Sequence, residues 1–379
     1  MSYTFETFFG ERQEFTNLEL TLERINGALG TLPPLSSQVI HLAGTNGKGS
    51  TAFFLAQMLE NEGYSTHLFT SPHITDITER IKLRNTNITR EEFDGLFAES
   101  LTLAQKFKLS YFETVFCMAI LAALRHKPDY LILETGLGGT YDATNTNYIT
   151  RKTPVITTMG QDHSHILGKN ILEIIKEKAA IVRDNFPVFI GYNKTFVVEA
   201  FKDILGRKDV RPLPLDRLTE AEKYYFKPFC YNYLNALRVV EFLLDKKQSV
   251  SPLLLPPARR ESFGRVLLDG AHNPAGLLAL MQGFTPDTLP QAAILSVTAE
   301  RDINKMLRII STKIPKIVLT TIPDTTRNIG LNKLESTGYF VVQDPWTALE
   351  KALSETTGTV LVTGSLYLCA ILRKKLIGE

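Results

Sequence analysis

Short apolar runs alternate with segments of helical periodicity along most of the chain. The first runs predict buried strands at residues 38–43, 65–70, 129–134, 154–159 and 187–191. Apolar residues at helical spacing predict helices after residue 47, twice across residues 90–126, near residues 170–183 and from about residue 232 to residue 244. This alternation predicts an α/β fold with a mainly parallel sheet.

The alternation stops at residues 249–265, where three prolines interrupt a segment without a clear period, so we predict a linker there. Beyond it, five further strands are predicted at residues 265–270, 292–297, 316–321, 339–342 and 359–364. A chain of 379 residues is also longer than one hydrophobic core usually supports. We therefore predict two domains, a parallel-sheet domain over residues 1–256 and a smaller Rossmann-like α/β domain over residues 257–379.

The loop after the first strand carries a clear chemical signal. The segment "HLAGTNGKGST" (residues 41–51) places glycines, a lysine and hydroxyl residues between a strand and a helix N-terminus. Backbone N–H groups, the helix dipole and a lysine together bind phosphate, so the first domain is predicted to be of the P-loop type. The spacing differs from the standard loop because Gly49 separates Lys48 from Ser50, and a simple tight turn is the alternative interpretation. The candidate phosphate-binding residues are Thr45, Asn46, Gly47, Lys48, Gly49 and Ser50.

The charge and the cysteine content narrow the class of protein. A formal net charge of +2, without basic blocks, gives no signature of binding to nucleic acid or to an anionic membrane. Three distant cysteines suggest neither a disulfide framework nor a thiolate metal site, which favours a reducing compartment. The longest apolar run, residues 115–124, is too short to span a bilayer, and the first residues lack a signal-peptide pattern. We expect a cytoplasmic protein.

Acidic residues and histidines follow several predicted strands. Glu134 ends one strand and His163 follows the next. Asp269 and His272 follow the first strand of the second domain. Open α/β sheets bind ligands at the carboxyl ends of their strands, and the Mg²⁺ of a nucleotide prefers hard oxygen ligands. These residues are therefore candidates for a nucleotide site, with an ordinary strand-end carboxylate the alternative for Glu134 and a helix cap or a solvated side chain the alternative for His163.

A series of motifs gives the sequence a resemblance to one enzyme family. The motifs are "LTLERI" (20–25), "HLAGTNGKGST" (41–51), "TSPHITDITERI" (70–81), "SYFET" (110–114), "ILETGLGGTYDATN" (132–145), "DHSHILG" (162–168), "EKAAIV" (177–182), "NALRVV" (235–240), "PARRE" (257–261), "LDGAHNP" (268–274) and "VTGS" (362–365). In this order and spacing, the sequence resembles the folylpolyglutamate synthase and dihydrofolate synthase family of Mur-type ligases. That family has a glycine after the loop lysine, which accounts for the unusual loop.

The resemblance implies an ATP-dependent amide ligase. ATP would phosphorylate a carboxylate of dihydropteroate or of the γ-glutamyl chain of a folate, and the amine of L-glutamate would attack the acyl phosphate. The implied cofactors are ATP and Mg²⁺, with two ions expected and Lys178 expected as a carbamate that binds the second ion. The implied partners are dihydropteroate, folates and L-glutamate, without nucleic acid or membrane, and a monomer is expected.

The resemblance also implies a role for individual residues. Lys48, Lys178 and His272 are the implied catalytic residues, and Ser71, Glu134 and His163 the implied magnesium ligands. Beyond the phosphate loop, the implied contacts to ATP across the domain interface are Asn235, Arg259 and Asp269. The implied acceptor-binding residues are Leu18, Glu19, Leu20, Ser110, Tyr111, Phe112, Glu113, Tyr141, Asp142 and Ala143. Alternative interpretations are a solvated helix lysine for Lys178 and core positions for Leu18, Leu20, Tyr111 and Phe112.

Several positions depart from the family pattern. Ala258 replaces a glycine before Arg259, which leaves Arg260 as a rival for the role of Arg259. Tyr231 and Asn232 replace a usual His-Gln pair ahead of Asn235, and Thr140 stands where an arginine commonly follows the glycine pair. The alternative functions are a Mur-type ligase acting on a peptidoglycan precursor, a folylpolyglutamate synthase without dihydrofolate synthase activity, and a nucleotide-dependent switch.

Overall fold

The computed structural model describes residues 4–10, 21–160, 170–183, 186–206, 209–323 and 329–378. The chain divides into two compact units. The first unit is Met1–Tyr224 with Phe229–Leu253, and the second unit is Tyr225–Pro228 with Leu254–Glu379. Each unit holds one sheet with helices between its strands, so the predicted α/β fold is confirmed.

The first unit contains an eight-stranded sheet in the order β4-β3-β2-β5-β1-β6-β7-β8. Its strands are β1 (Gln38–Ala43), β2 (Thr66–Phe69), β3 (Ile81–Leu83), β4 (Thr86–Asn87), β5 (Tyr130–Glu134), β6 (Lys152–Ile156), β7 (Val188–Ile190) and β8 (Val210–Pro212). The β2-β3 and β3-β4 pairs are antiparallel, and all other pairs are parallel. The helices described in this unit are α1 (Phe5–Phe9), α2 (Glu23–Leu29), α3 (Lys48–Asn61), α4 (Arg90–Phe107), α5 (Tyr111–His126), α6 (Ile171–Ala179), α7 (Thr195–Leu205), α8 (Leu218–Ala221) and α9 (Phe229–Leu244).

The second unit contains a six-stranded sheet in the order β13-β12-β11-β14-β10-β9. Its strands are β9 (Arg259–Phe263), β10 (Val266–Asp269), β11 (Ala292–Leu295), β12 (Lys316–Leu319), β13 (Phe340–Val341) and β14 (Val360–Thr363). Only the β9-β10 pair among these described strands is antiparallel. The helices described are α10 (Pro274–Gln282), α11 (Ile303–Ile310), α12 (Leu331–Glu335), α13 (Pro345–Ser354) and α14 (Leu366–Ile377).

The register of the first sheet brings three loops to one edge. β1 lies between β5 and β6, and Leu42 pairs with Glu134 while Ala43 pairs with Ile156. The strands are buried on both faces, as expected for parallel strands covered by helices. Because the three strands end at one level, the loops that follow them begin together at the carboxyl edge, where open α/β sheets bind ligands.

Some elements differ from the sequence-based expectations. The predicted linker at residues 249–265 is wrong in part, because it contains β9. The strands β3, β4 and β8 were not predicted, and β6 begins at Lys152 and ends at Ile156 rather than covering residues 154–159. β4, β8 and β9 lie at sheet edges, where one side of the strand has no partner and polar residues interrupt the apolar run. No helix among the described residues is long and apolar enough to cross a membrane.

Candidate active site

The loop between β1 and α3 has a backbone that only glycine accommodates at its key position. Gly47 immediately precedes α3 and has a φ of 87°, in the left-handed region. A Cβ atom on Gly47 would lie 2.3 Å from Oδ1 of Asn232. Since the first turn of a helix leaves N–H groups without intrahelical partners, Lys48, Gly49 and Ser50 present backbone donors at the helix N-terminus. The geometry therefore fits an anion such as a phosphate group.

The same loop is held in place by the segment that follows β6. The N–H groups of Thr45 and Asn46 both donate to the carbonyl oxygen of Thr158, at 3.0 and 3.1 Å. The hydroxyl of Thr45 donates to the carbonyl oxygen of Gly160 at 2.9 Å. Lys48 folds back over the loop, with Nζ 3.2 Å from the carbonyl oxygen of Gly44. The positive charge of Lys48 thus lies over the loop.

Glu134 and Ser71, two of the predicted magnesium ligands, are neighbours. The N–H group of Ser71 donates to Oε2 of Glu134 at 3.1 Å, and Glu134 is 5% exposed. A Cβ atom on Gly49 would lie 3.3 Å from the same carboxylate oxygen, which places Glu134 beside the first turn of α3. A buried carboxylate and a hydroxyl residue beside a phosphate loop supply the oxygen ligands that Mg²⁺ prefers.

The third predicted magnesium ligand, His163, lies outside the described residues. Within the part of the chain that the structure describes, no group of three or more His, Cys, Asp or Glu side chains could hold a metal ion by itself. Among the described residues, a metal ion at Glu134 would take further ligands from hydroxyl groups, and water or phosphate oxygens would complete its coordination, as nucleotide-bound Mg²⁺ usually requires.

Lys178 occupies a buried position near the end of α6. It is 4% exposed, so the alternative of a solvated helix lysine is wrong. A Cβ atom on Gly139 would lie 3.2 Å from the Cα atom of Lys178 and 2.4 Å from the carbonyl oxygen of Glu177. The loop after β5 therefore packs directly on the helix turn that carries Lys178.

Helix α9 contributes two buried asparagines to the carboxyl edge of the sheet. Asn235 is 1% exposed, and neither its Nδ2 nor its Oδ1 has a hydrogen-bond partner among the described residues. Gly191, at the end of β7, faces this amide, because a Cβ atom there would lie 3.0 Å from Nδ2. Leaving a buried amide without partners costs about 1–3 kcal/mol, so Asn235 is available to a ligand that hydrogen-bonds it.

Asn232 is the site residue that the sequence analysis missed. It lies one turn before Asn235 on the same face of α9, and it contacts Gly47 of the phosphate loop. Next to it, the Tyr231 ring stacks on the Tyr192 ring, with centroids 4.0 Å apart and planes at 7°. The spacing of the two asparagines was the signal that could have identified Asn232.

The predicted acceptor residues of α5 have structural partners within the first unit. Ser110 caps the helix, and Glu113 accepts hydrogen bonds from the Ser110 N–H at 2.7 Å and from Nε of Arg24 at 3.1 Å. The half-buried Tyr111 ring packs edge-on against Phe5 at 5.0 Å. These contacts do not test whether Ser110, Tyr111 and Glu113 bind the acceptor, so that role stays a prediction. Leu18, Glu19 and Leu20 lie outside the described residues.

Phe112 points toward the loop after β5. Its half-buried ring lies 5.6 Å from the Phe69 ring. A Cβ atom on Gly136 would lie 2.7 Å from the Phe112 ring. The glycine therefore lets the loop backbone approach the flat face or edge of this ring, next to Glu134.

Residues 136–145, which we call the acceptor loop, contain the other predicted acceptor residues. Tyr141 is 51% exposed, whereas Ala143 is buried. The buried Asp142 carboxylate accepts from the N–H groups of Leu137 at 2.8 Å and Thr144 at 3.0 Å. Burial raises the pKa of Asp142, while its hydrogen bonds with Thr144 and Leu137 oppose that rise. Asp142 thus stabilises the backbone of the acceptor loop through hydrogen bonds, and Tyr141 is the exposed side chain of that loop.

In the second unit, the end of β10 carries Asp269 with Arg259 beside it. Asp269 accepts from the N–H groups of Ala271 at 3.0 Å and Arg260 at 3.1 Å. Burial raises the pKa of Asp269, and the positive charge of Arg259 opposes that rise. Arg259 packs against the Gly270 backbone, since a Cβ atom there would lie 2.7 Å from its guanidinium nitrogen.

Arg260, the rival of Arg259, has a different environment. Its guanidinium lies over the Phe226 ring at 3.7 Å and the Phe284 ring at 4.5 Å. It also donates to the carbonyl oxygen of Gly283 at 3.2 Å. The Arg260 backbone thus bonds Asp269 while its guanidinium is engaged in the packing of the second unit, and the charge of Arg259 acts more strongly on Asp269 than that of Arg260.

His272 follows β10 and precedes α10. Its Nδ1 lies 3.0 Å from the carbonyl oxygen of Gly270, so Nδ1 carries the proton of that hydrogen bond. Asn273 caps α10 by accepting from the N–H of Gly276 at 2.8 Å, and Pro274 opens the helix. The cap fixes the backbone immediately after His272.

Comparisons with known proteins agree with this geometry. The Mur ligase middle domain family matches residues 42–227. A Bacillus subtilis dihydrofolate synthase/folylpolyglutamate synthase is 28% identical over 91% of this chain and 91% of its own length. A Saccharomyces cerevisiae dihydrofolate synthetase is 27% identical over 93% of this chain and 96% of its own length.

The fold also matches solved structures. The bifunctional folylpolyglutamate synthase/dihydrofolate synthase of Yersinia pestis, complexed with AMPPNP and a Mn ion, superimposes with a TM-score of 0.82. The match covers 99% of this chain and 98% of that chain at 22% identity. The fold, the phosphate loop and the match to the Mur ligase middle domain thus agree with the class of Mur-type ligases. Within that class, the chain is similar to the dihydrofolate synthase and folylpolyglutamate synthase family, and the prediction of an ATP-dependent ligase is confirmed.

Proposed function

We propose that this protein uses ATP to join L-glutamate to dihydropteroate and to the γ-carboxyl group of folates. The observation that carries the proposal is the contact between Glu134, Ser71 and the first turn of α3, directly beside Lys48. This arrangement offers phosphate donors and oxygen ligands for a divalent metal at one place. A relative named for both activities, a second relative named for dihydrofolate synthesis, and a similar enzyme complexed with AMPPNP and a Mn ion support the same assignment.

The residues of the phosphate loop would act by electrostatic stabilisation. The first-turn N–H groups of α3 and the ammonium of Lys48 would neutralise the charge that develops on the transferred phosphate. Glu134 and Ser71 would hold Mg²⁺, which supplies further neutralisation of phosphate charge when bound. A carboxylate acceptor needs such activation because oxide is a poor leaving group, whereas phosphate leaves readily. The chain would therefore position reactants rather than supply a covalent nucleophile.

We propose the other predicted roles on the same basis. Lys178, buried beside the acceptor loop, would bind a second metal ion as a carbamate, because a carbamate supplies two anionic oxygens. Asn235 would contact the nucleotide through its buried amide. The roles of Arg259 and Asp269 in nucleotide binding and of His272 in catalysis are proposed from their motif positions. We further propose a cytoplasmic monomer with an ATP-binding domain over residues 1–256 and a glutamate-ligase domain over residues 257–379.

The acceptor would bind beside the acceptor loop. Phe112 lies against Gly136 of that loop and could stack a flat pterin ring. Glu113 follows Phe112 on α5, and Tyr141 is the exposed side chain of the loop. Stacking on an aromatic ring favours a pterin or folate over a muramyl peptide, which has no flat ring system.

A phosphate-release assay with product analysis tests the proposal. Dihydropteroate, tetrahydrofolate and a muramyl-peptide acceptor would each be offered with ATP, Mg²⁺ and L-glutamate. We expect glutamate-dependent phosphate release and a new amide with the first two acceptors only. Product with tetrahydrofolate alone would restrict the protein to polyglutamylation, and product with the muramyl peptide alone would reject the proposed acceptor class.

Variants in the same assay test the ATP site. Lys48→Ala and Glu134→Ala should each lower kcat by on the order of 10²-fold or more, because each removes electrostatic stabilisation of the transition state. The control is Lys202→Ala, which removes an exposed helix lysine paired with Glu199 and should leave kcat unchanged. Wild-type kcat in Lys48→Ala or Glu134→Ala, with unchanged circular dichroism, would reject the assignment of the site.

A further inference from the structure

The acceptor loop is fixed to the end of α6 by a pair of hydrogen bonds to one carboxylate. The Thr140 N–H donates to Oε1 of Glu177 at 3.0 Å, and the Thr140 hydroxyl donates to Oε2 at 2.7 Å. Hydrogen bonds to a charged acceptor are about twice as strong as neutral ones, and two at once also fix direction. We call this pair the Thr140–Glu177 clamp.

Two further contacts lie on either side of the clamp. Gly139 packs on the backbone of Glu177 and Lys178, so closely that no side chain would fit. At the other end of the loop, Asn145 donates to the carbonyl oxygen of Ala180 at 3.2 Å and accepts from Nζ of Lys152 at 2.7 Å. The acceptor loop thus contacts Glu177, Lys178 and Ala180, at the end of α6 and just beyond it.

Thr140 stands where the resembled family commonly has an arginine. The structure gives it a partner instead, because its hydroxyl and its N–H both bind Glu177. Since Thr140 precedes Tyr141 and Glu177 precedes Lys178, the clamp joins the backbone of a proposed acceptor residue to that of a proposed metal-binding residue.

We propose that Thr140 and Glu177 are positioning residues that set the distance between the bound acceptor and Lys178. Neither side chain touches the reacting atoms; they act through Tyr141 and Lys178. The inference rests on the proposed ligase function. Its physical basis is the sensitivity of catalysis to geometry, since a displacement of about 1 Å can cost on the order of 10²-fold in rate.

Kinetic constants of matched variants test the clamp. Thr140→Val keeps the shape and the backbone hydrogen bond but removes the hydroxyl, and Glu177→Ala removes both bonds. Each should lower kcat/KM for dihydropteroate by about tenfold or more, while KM for ATP stays near the wild-type value because the phosphate loop is untouched. The double variant should be no worse than Glu177→Ala, because both changes break one interaction.

Conservative variants separate geometry from charge. Thr140→Ser keeps the hydroxyl, and Glu177→Gln keeps one acceptor and gains an N–H donor for the hydroxyl, so both should retain near wild-type kcat/KM. If Glu177→Gln is as impaired as Glu177→Ala, the negative charge matters and the positioning role is wrong. A matched control is Ser65→Ala, since Ser65 donates its N–H at 2.7 Å and its hydroxyl at 2.6 Å to Asp129 before β2 and β5, at the opposite edge of the sheet. Ser65→Ala should change melting temperature only.

The outcomes distinguish this inference from the proposed function. A wild-type protein that is inactive with every acceptor rejects both. If the wild type is active and kcat/KM is unchanged in Thr140→Val and Glu177→Ala, only the positioning role of the clamp is rejected. The same holds if these variants have a lower melting temperature but unchanged kinetic constants. Thr140→Val retains the backbone bond of the clamp, so the test stands even if Glu177→Ala does not fold.

Discussion

Replacing Gly47 by alanine tests the geometry of the phosphate loop with a matched control elsewhere in the chain. Gly47 has a φ of 87° and Gly63 has a φ of 91°, so alanine is strained at both positions. The left-handed region costs a non-glycine residue about 1–2 kcal/mol. No atom of the described residues lies within 4 Å of a Cβ atom placed on Gly63, so Gly63→Ala measures this backbone cost alone.

At Gly47 a second cost is added. The new Cβ atom would lie 2.3 Å from Oδ1 and 3.0 Å from Cγ of Asn232, which is 6% exposed and has little space to move into. Overpacking of this kind costs about 1–3 kcal/mol. With roughly 2–4 °C of melting temperature per kcal/mol for a domain of 150–250 residues, Gly63→Ala should lower the Tm by about 2–8 °C and Gly47→Ala by about twice as much.

Nucleotide binding gives the second readout. Isothermal titration calorimetry with ADP and Mg²⁺ should show at least about tenfold weaker binding in Gly47→Ala, equivalent to about 1.4 kcal/mol, and no change in Gly63→Ala. The double variant Gly47→Ala/Asn232→Ala removes the clash and should recover part of both losses. Equal Tm values for Gly47→Ala and Gly63→Ala, together with wild-type affinity for ADP, would refute the contact between Asn232 and the loop.

Three further predictions concern other parts of the first unit. Lys178→Ala should abolish phosphate release, and added bicarbonate should not restore it; normal release would contradict the metal-binding role. Burial and the neighbouring His126 lower the pKa of His67 from 6.5 to about 4, so the unfolded state binds a proton that the folded state does not. The free energy of unfolding should therefore fall between pH 6.5 and pH 4, and urea denaturation of His67→Leu should show a weaker decline. Burial raises the pKa of the Cys117 thiol to about 12, so Cys117 should react with iodoacetamide at pH 8 only after unfolding, as mass spectrometry can measure.

Most of the central strands could be predicted from the sequence because both faces of these strands are buried. β1 coincides with the predicted residues 38–43, and β5 begins one residue after the predicted start at residue 129. A strand buried on both faces reads as a continuous apolar run, which is easy to identify. The edge strand β9, in contrast, begins with two arginines and a glutamate, so its sequence resembles a loop.

The residues of the candidate site were harder to predict from the sequence than the fold. Motif positions led to Glu134 and Ser71, and the structure brings these two residues together. Asn232 could not be assigned in this way because its role depends on α9 packing against α3, a contact between segments far apart in the chain. The Thr140–Glu177 clamp is likewise a long-range contact, and the departure from arginine at residue 140 suggested only a missing charge.

The short segment Tyr225–Pro228 has a consequence for how the protein is made. It belongs to the second unit, where the Phe226 ring covers the guanidinium of Arg260, although α9 of the first unit follows it in the chain. During synthesis, this segment leaves the ribosome before α9 and long before its own partners exist. The second unit therefore cannot be completed by residues 257–379 alone, and a gene fragment encoding only those residues should yield a less stable product. The two units are interleaved in the order of translation.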